Sequence, residues 1–154
     1  MVETTLLVSK IKNGTVIDHI TGGHALDVVK ILGITGRTRG TVLIAMYVPS
    51  KQLTTKDIVK VEGRELKPEE VDKIALLAPR ASINIIRNYK VINKKRVRLP
   101  DIIKGIAQCG NPACISNSNE PIQPKFYVKS QDPLMIRCHY CSYIMEKKDI
   151  LEQF

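Results

Sequence analysis

Four cysteines, Cys109, Cys114, Cys138 and Cys141, are the only ones in a chain of 154 residues, and their spacing makes two pairs, C-x4-C and C-x2-C, with 23 residues between them. Two short thiolate pairs brought together form a tetrahedral sulfur cage with no open position, the signature of a structural Zn²⁺ site, one ion per chain. Two disulfides or two redox pairs are the competing chemistries. The N-terminus carries no signal-peptide pattern, so a reduced, cytoplasmic setting is expected, and there metal binding wins over disulfides.

The cysteines also divide the chain. Residues 101–154 are too few to build a large apolar core, and a metal is the expected substitute for buried area. Residues 1–100 contain no cysteine and read as a conventional α/β unit, and Leu99-Pro100-Asp101 punctuates the change. Charge divides at the same place. The first 100 residues carry 18 Lys+Arg against 9 Asp+Glu, whereas the remainder carries 6 of each. Four thiolates around one Zn²⁺ would leave the second part negative, the reverse of a module built to grip phosphodiester backbones. Its expected partner is another protein, not nucleic acid. The longest apolar run, residues 42–48, is strand-sized, so no membrane span is expected.

In the first part, residues 4–11 read as a strand, Lys12-Asn13-Gly14 as a tight turn, and residues 15–17 as a second strand. Gly22-Gly23 breaks that pattern. Ala25, Val28, Val29 and Leu32 then recur at helical spacing, with Gly33 as the stop. Residues 41–48 are apolar almost throughout and read as a central strand buried on both faces, followed by a strand at 57–62 with one wet face. A second helix opens at Pro68, with Glu69 and Glu70 complementing its dipole and Val71, Ile74, Ala75 and Ala78 as its buried stripe. Pro79 ends it. Strands at 81–86 and 89–92 complete the order β-α-β-β-α-β. The expected class is α+β: a ferredoxin-like sandwich, one antiparallel sheet with two helices on one face, followed by a small all-β zinc-ribbon domain.

Two features could carry chemistry in this part. Asp18-His19 sets an acid beside an imidazole, although such a pair next to a turn is commonly a local hydrogen bond. Residues 87–98 hold Arg87, Lys90, Lys94, Lys95, Arg96 and Arg98 without an acid. A charge run is usually a solvated face, yet six unrelieved cations attract anions, either nucleic acid or a nucleoside triphosphate. With no Trp and two Phe, stacking platforms for single strands are scarce. There is no Walker loop and no Gly-x-Gly-x-x-Gly after a strand, so any nucleotide would be held by side chains and strand edges. No catalytic constellation can be assembled, and no enzyme activity is expected.

Gly14-Thr15-Val16-Ile17-Asp18-His19-Ile20, the segment Ala78-Pro79-Arg80-Ala81-Ser82-Ile83-Asn84 with Asn88-Tyr89 beyond it, and the cysteine clamp together closely resemble the regulatory chain of aspartate carbamoyltransferase, over essentially the whole chain. The resemblance implies a non-catalytic subunit in pyrimidine biosynthesis. It implies an allosteric nucleotide-binding domain at 1–100 that takes CTP, ATP and UTP, and a zinc domain at 101–154 that docks on the catalytic chain. It also implies a regulatory dimer. Carried over residue by residue, the nucleotide pocket would use Val8, Ser9, Lys10, Ile11, Asp18, His19, Ile58, Lys60, Asn84, Ile86, Tyr89, Val91 and Lys94. Lys94 and His19 would meet the triphosphate, Asp18 the ribose hydroxyls, and Lys60 the ribose and base edge. Lys10, Ile11, Ile86 and Tyr89 would act largely through backbone groups. The alternative is a zinc-ribbon nucleic-acid-binding factor using residues 87–98, which the neutral zinc module disfavours; a small nucleotide-acting enzyme is opposed by the missing phosphate loop.

Overall fold

The computed structural model describes residues 10–51 and 53–154. The chain runs β1 (Gly14–Thr21), α1 (Ala25–Ile31), β2 (Val42–Pro49), β3 (Thr55–Glu62), α2 (Pro68–Leu77), β4 (Ser82–Arg87) and β5 (Lys90–Arg96). It continues with β6 (Ile102–Lys104), a 3-10 turn (Ile115–Asn117), β7 (Lys125–Gln131), β8 (Leu134–Cys138), β9 (Ile144–Glu146) and α3 (Lys147–Leu151). The first five strands form one antiparallel sheet in the order β2-β3-β1-β4-β5, and the last four a second in the order β6-β7-β8-β9. Strands β2-β3-β1-β4 with two mutually packed helices give the expected ferredoxin-like arrangement, and β5 extends it as the hairpin partner of β4. Among the described residues no helix is long and apolar enough to cross a membrane.

Strand alternation sends Ile17 of β1, Val59 and Val61 of β3 and Ile83 of β4 into the core, where Ala25, Val28 and Ile31 of α1 and Ile74 of α2 meet them. Their neighbours Val16, Asp18, Ile58, Lys60 and Asn84 therefore share the opposite face of the sheet, which no described helix covers. Gly33 stops α1 as expected, with φ +70° and its N–H donating to Lys30 O at 3.0 Å. Pro68 opens α2, and Glu70 accepts the Lys67 N–H at 3.1 Å.

Two expectations change. Among the described residues, 42–49 form an edge strand, not a central one: there β2 pairs only with β3, and Ile44 and Tyr47 stand exposed. A continuous apolar run reads alike whether a strand is covered by its own chain or by something else, so periodicity could not place it. The strand expected at 89–92 begins one residue later and runs to Arg96, because Asn88 (φ 51°) and Tyr89 (φ 64°) form a tight left-handed hairpin turn. The strand expected at 4–11 lies almost wholly outside the described residues.

Asp57 is the buried polar anchor of the first sheet. Its carboxylate accepts the N–H groups of Gly23, Ala25 and Tyr47, each at 2.9 Å. Those donors sit where β1 leads into α1 and where β2 is bulged, so one carboxylate fixes both irregularities. In the second sheet Phe126, Ile136 and Met145 are fully buried, and Ile150 of α3 packs beneath them. Buried residues of both sheets form one continuous cluster, reaching from Ile17 through Leu99 and Ile103 to Ile150.

Candidate functional site

Two places in the molecule gather chemistry. At the first, the sulfur atoms of Cys109, Cys114, Cys138 and Cys141 all lie within 4.8 Å of one another, with Cys109–Cys141 at 3.5 Å and Cys114–Cys138 at 3.6 Å. Two tight turns deliver them. In the first, Cys114 N–H donates to Asn111 O at 3.0 Å, and Asn117 Nδ2 donates to the carbonyls of Cys109 (2.8 Å) and Asn111 (2.7 Å). In the second, Ser142 N–H returns to Cys138 O at 3.0 Å, with Ser142 in the left-handed region at φ 64°. A Cβ on Gly110 would lie 2.9 Å from the Tyr143 ring, so this residue lets the two turns close on each other.

Three of the thiols differ in how readily they ionise. Burial pushes Cys109 and Cys138 up, and neighbouring thiols add to it. Burial also opposes ionisation of Cys141, but the Tyr143 N–H, the Asn111 side chain and the Cys109 and Cys114 sulfurs pull it down to about 7. Four converging sulfurs, three of them buried, fit a closed structural metal site and offer no position for substrate.

The second place is the uncovered face of the first sheet. Lys60, Val16, Asn84 and Lys94 form one register row across β3, β1, β4 and β5. Over this row lies a cavity of about 280 Å³ lined by Lys10, Ile11, Val16, Asp18, Ile58, Lys60, Asn84, Ile86, Tyr89 and Val91. Nine of these are residues that the resemblance proposes. Of the others it proposes, His19 and Lys94 stand outside the lining, and Val8 and Ser9 lie outside the described residues. Burial pushes the Lys60 pKa down; Asp18 opposes the shift and Lys10 adds to it. Among the described residues the buried side-chain carbonyl of Asn84 has no hydrogen-bond partner, an acceptor waiting for a donor. Tyr89, 61% exposed, is no core residue, whereas Ile86 is buried under the cavity.

His19, at φ 57° in the β1 bulge, lines a neighbouring cavity of about 220 Å³ with Leu53, Arg80 and Arg96, and its Nδ1 lies 3.2 Å from Ser82 Oγ. Arg80 also borders a larger cavity between the two sheets. Asp18 is held by Lys56 Nζ at 3.0 Å. Sequence reasoning missed Lys56 and Val16, though alternation back from Ile58 and Lys60 reaches Lys56 on the same face. Of the six cations at 87–98, Arg87 is spoken for, with two hydrogen bonds to Glu65 at 2.9 and 3.1 Å.

Comparison with known proteins agrees along the chain. The family model for the aspartate carbamoyltransferase regulatory chain, allosteric domain, matches residues 6–98, and that for its metal-binding domain matches residues 101–151. An aspartate carbamoyltransferase regulatory chain from Hyperthermus butylicus is 55% identical over 96% of this chain and 93% of its own length. Those from Methanothrix thermoacetophila and Pyrococcus furiosus are each 58% identical, over 92% and 95% of this chain and 92% and 96% of their own lengths. Family models that together span nearly all of it, and relatives this similar end to end, establish that the chain belongs to the family of aspartate carbamoyltransferase regulatory chains, non-catalytic subunits with an allosteric and a metal-binding part.

Proposed function

We propose that the chain senses nucleoside triphosphates for an aspartate carbamoyltransferase in the pyrimidine pathway of the cytoplasm. In this reading residues 1–100 form the allosteric domain, which binds CTP, ATP or UTP on the uncovered sheet face, and residues 101–154 form a zinc domain that docks on the catalytic chain. The observation that carries it is the convergence of nine resemblance residues, from four strands, a hairpin turn and the segment before β1, on one cavity. That cavity offers what a nucleotide asks for. Asn84 supplies an orphan acceptor for an exocyclic amine, Asp18 an acceptor for ribose hydroxyls, and Lys60 and Lys94 cations in the same row. His19 borders the next cavity with Arg80 and Arg96, where the outer phosphates would run.

Zinc fits the four sulfurs. A tetrahedral site with Zn–S bonds of about 2.3 Å has S···S edges of roughly 3.8 Å, close to the 3.5 and 3.6 Å of the two tightest pairs. The ion would close the small second sheet and supply no reaction chemistry. Among the described residues the β2 edge is apolar and unpaired, which fits a regulatory dimer formed along it.

Calorimetric titration of the full chain with CTP and ATP, alongside metal analysis and co-purification with the catalytic chain, tests the reading. Saturable binding at one site per chain, one zinc per chain and a stable complex are expected. A metal-loaded chain that ignores both nucleotides would overturn the sensor role.

A further inference from the structure

Between the two sheets lies a cavity of about 490 Å³. That is the size of a small-molecule site, at a junction between packed units where such sites concentrate. Leu76, Leu77 and Pro79, at the end of α2, form one wall; Leu134 and Met135, from the start of β8, form the other. The rim is charged, and its acids are largely committed. Asp132 lies 4.0 Å from Arg80, both well exposed, and Glu146 caps the first turn of α3.

Lys147 is left short of a counter-charge. Among the described residues no carboxylate oxygen comes within 4.0 Å of its Nζ. Its close neighbour is the His24 ring, with Nδ1 at 2.9 Å and Nε2 at 3.2 Å. His24 Nδ1 is also 3.2 Å from Asp27 Oδ2. The ammonium thus sits against both ring nitrogens, and Nδ1 is shared between it and Asp27. An imidazole ring offers a half-buried ammonium no negative charge, and burial pushes the Lys147 pKa down although Asp27 and Asp132 oppose the shift. Lys148 adds a second cation to the same rim.

The geometry points to this cavity as a binding site for a small organic anion, an apolar body carrying one carboxylate, sulfonate or phosphate group. The body would lie against Leu76, Leu77, Leu134 and Met135, with the anionic group on Lys147 and Lys148. Such a ligand touches the end of α2 and the start of β8 at once and so favours the arrangement in which the two now stand. The inference stands apart from the nucleotide reading, because no residue of this cavity lines the one over Asn84.

Titration of the full, metal-loaded chain with naphthalene-2-sulfonate, followed by NMR of labelled methyl groups, tests it. Saturable shifts confined to Leu76, Leu77, Leu134 and Met135 are expected. Lys147→Met should weaken binding about tenfold or more, as loss of a charged hydrogen bond does. Uncharged naphthalene should lose a similar factor on the parent protein, a test that survives if the variant does not fold. Met135→Trp, which fills the cavity, should abolish binding. Absence of saturation, displacement by CTP with shifts at Ile86 and Val91, or equal affinity for naphthalene and its sulfonate would overturn the proposal.

Discussion

Asp57 shows how much one side chain can hold. Its two oxygens satisfy three backbone N–H groups from two different irregularities in the sheet. Asp57→Ala should therefore cost about 3 kcal/mol or more of unfolding free energy, the penalty of stranding buried donors, read from the urea midpoint of the metal-loaded chain. Nothing in the sequence marks Asp57 as special, since its partners are backbone groups far along the chain. Lys60 is the opposite case: the family resemblance, and not its strand pattern, singles it out in the sequence. Lys60→Ala should weaken CTP binding by about 1.5–3 kcal/mol, as removal of a charged hydrogen bond does. Lys94→Ala should cost less, because Lys94 is exposed and outside the cavity lining. The Lys60 ammonium is held below its ordinary pKa, chiefly by burial. Affinity for a triphosphate should thus begin to fall at a lower pH in the alkaline range than an ordinary lysine would dictate, and calorimetry across that range in parent and Lys60→Ala would show it.

Elements were legible in the sequence where their signals were local. Gly33 ended a helix and Pro68 began one, and the two cysteine pairs met. What could not be read was lateral placement. The apolar run of β2 does not say whether its neighbours come from the same chain, and the turn at Asn88-Tyr89 hides behind an aromatic residue that seldom adopts positive φ. That hairpin holds conflicting demands. Tyr89 lies in a left-handed conformation that costs a non-glycine residue roughly 1–2 kcal/mol, yet its ring walls the cavity. Tyr89→Gly creates Asn-Gly, the preferred pair for such a turn. It should stabilise the chain by about 1 kcal/mol in thermal unfolding while weakening CTP binding in a parallel titration. Greater stability without loss of affinity would remove Tyr89 from the proposed pocket.

At the scale of the molecule, the composition foretold two halves, and the buried residues join them. One apolar cluster crosses from the first sheet into the second, a continuity that charge balance and cysteine placement could not reveal because it arises from scattered side chains such as Leu99 and Ile103. Removing the metal should therefore be felt beyond the second sheet. Hydrogen exchange after chelation should show faster exchange in β6–β9 and a smaller, measurable loss of protection in β4, whose Ile83 belongs to the shared cluster. Protons work in the same direction as chelator. Burial holds Cys109 and Cys138 protonated to higher pH than an ordinary thiol, so metal retention should fall as pH falls, with protons taken up as the ion leaves. Arg80, finally, borders both the cavity beside His19 and the one between the sheets. A single guanidinium cannot face two ways, so an anion that recruits it on one side withdraws it from the other. Two ligands that never touch could in this way antagonise each other through the rotamer of one arginine, with no movement of either sheet.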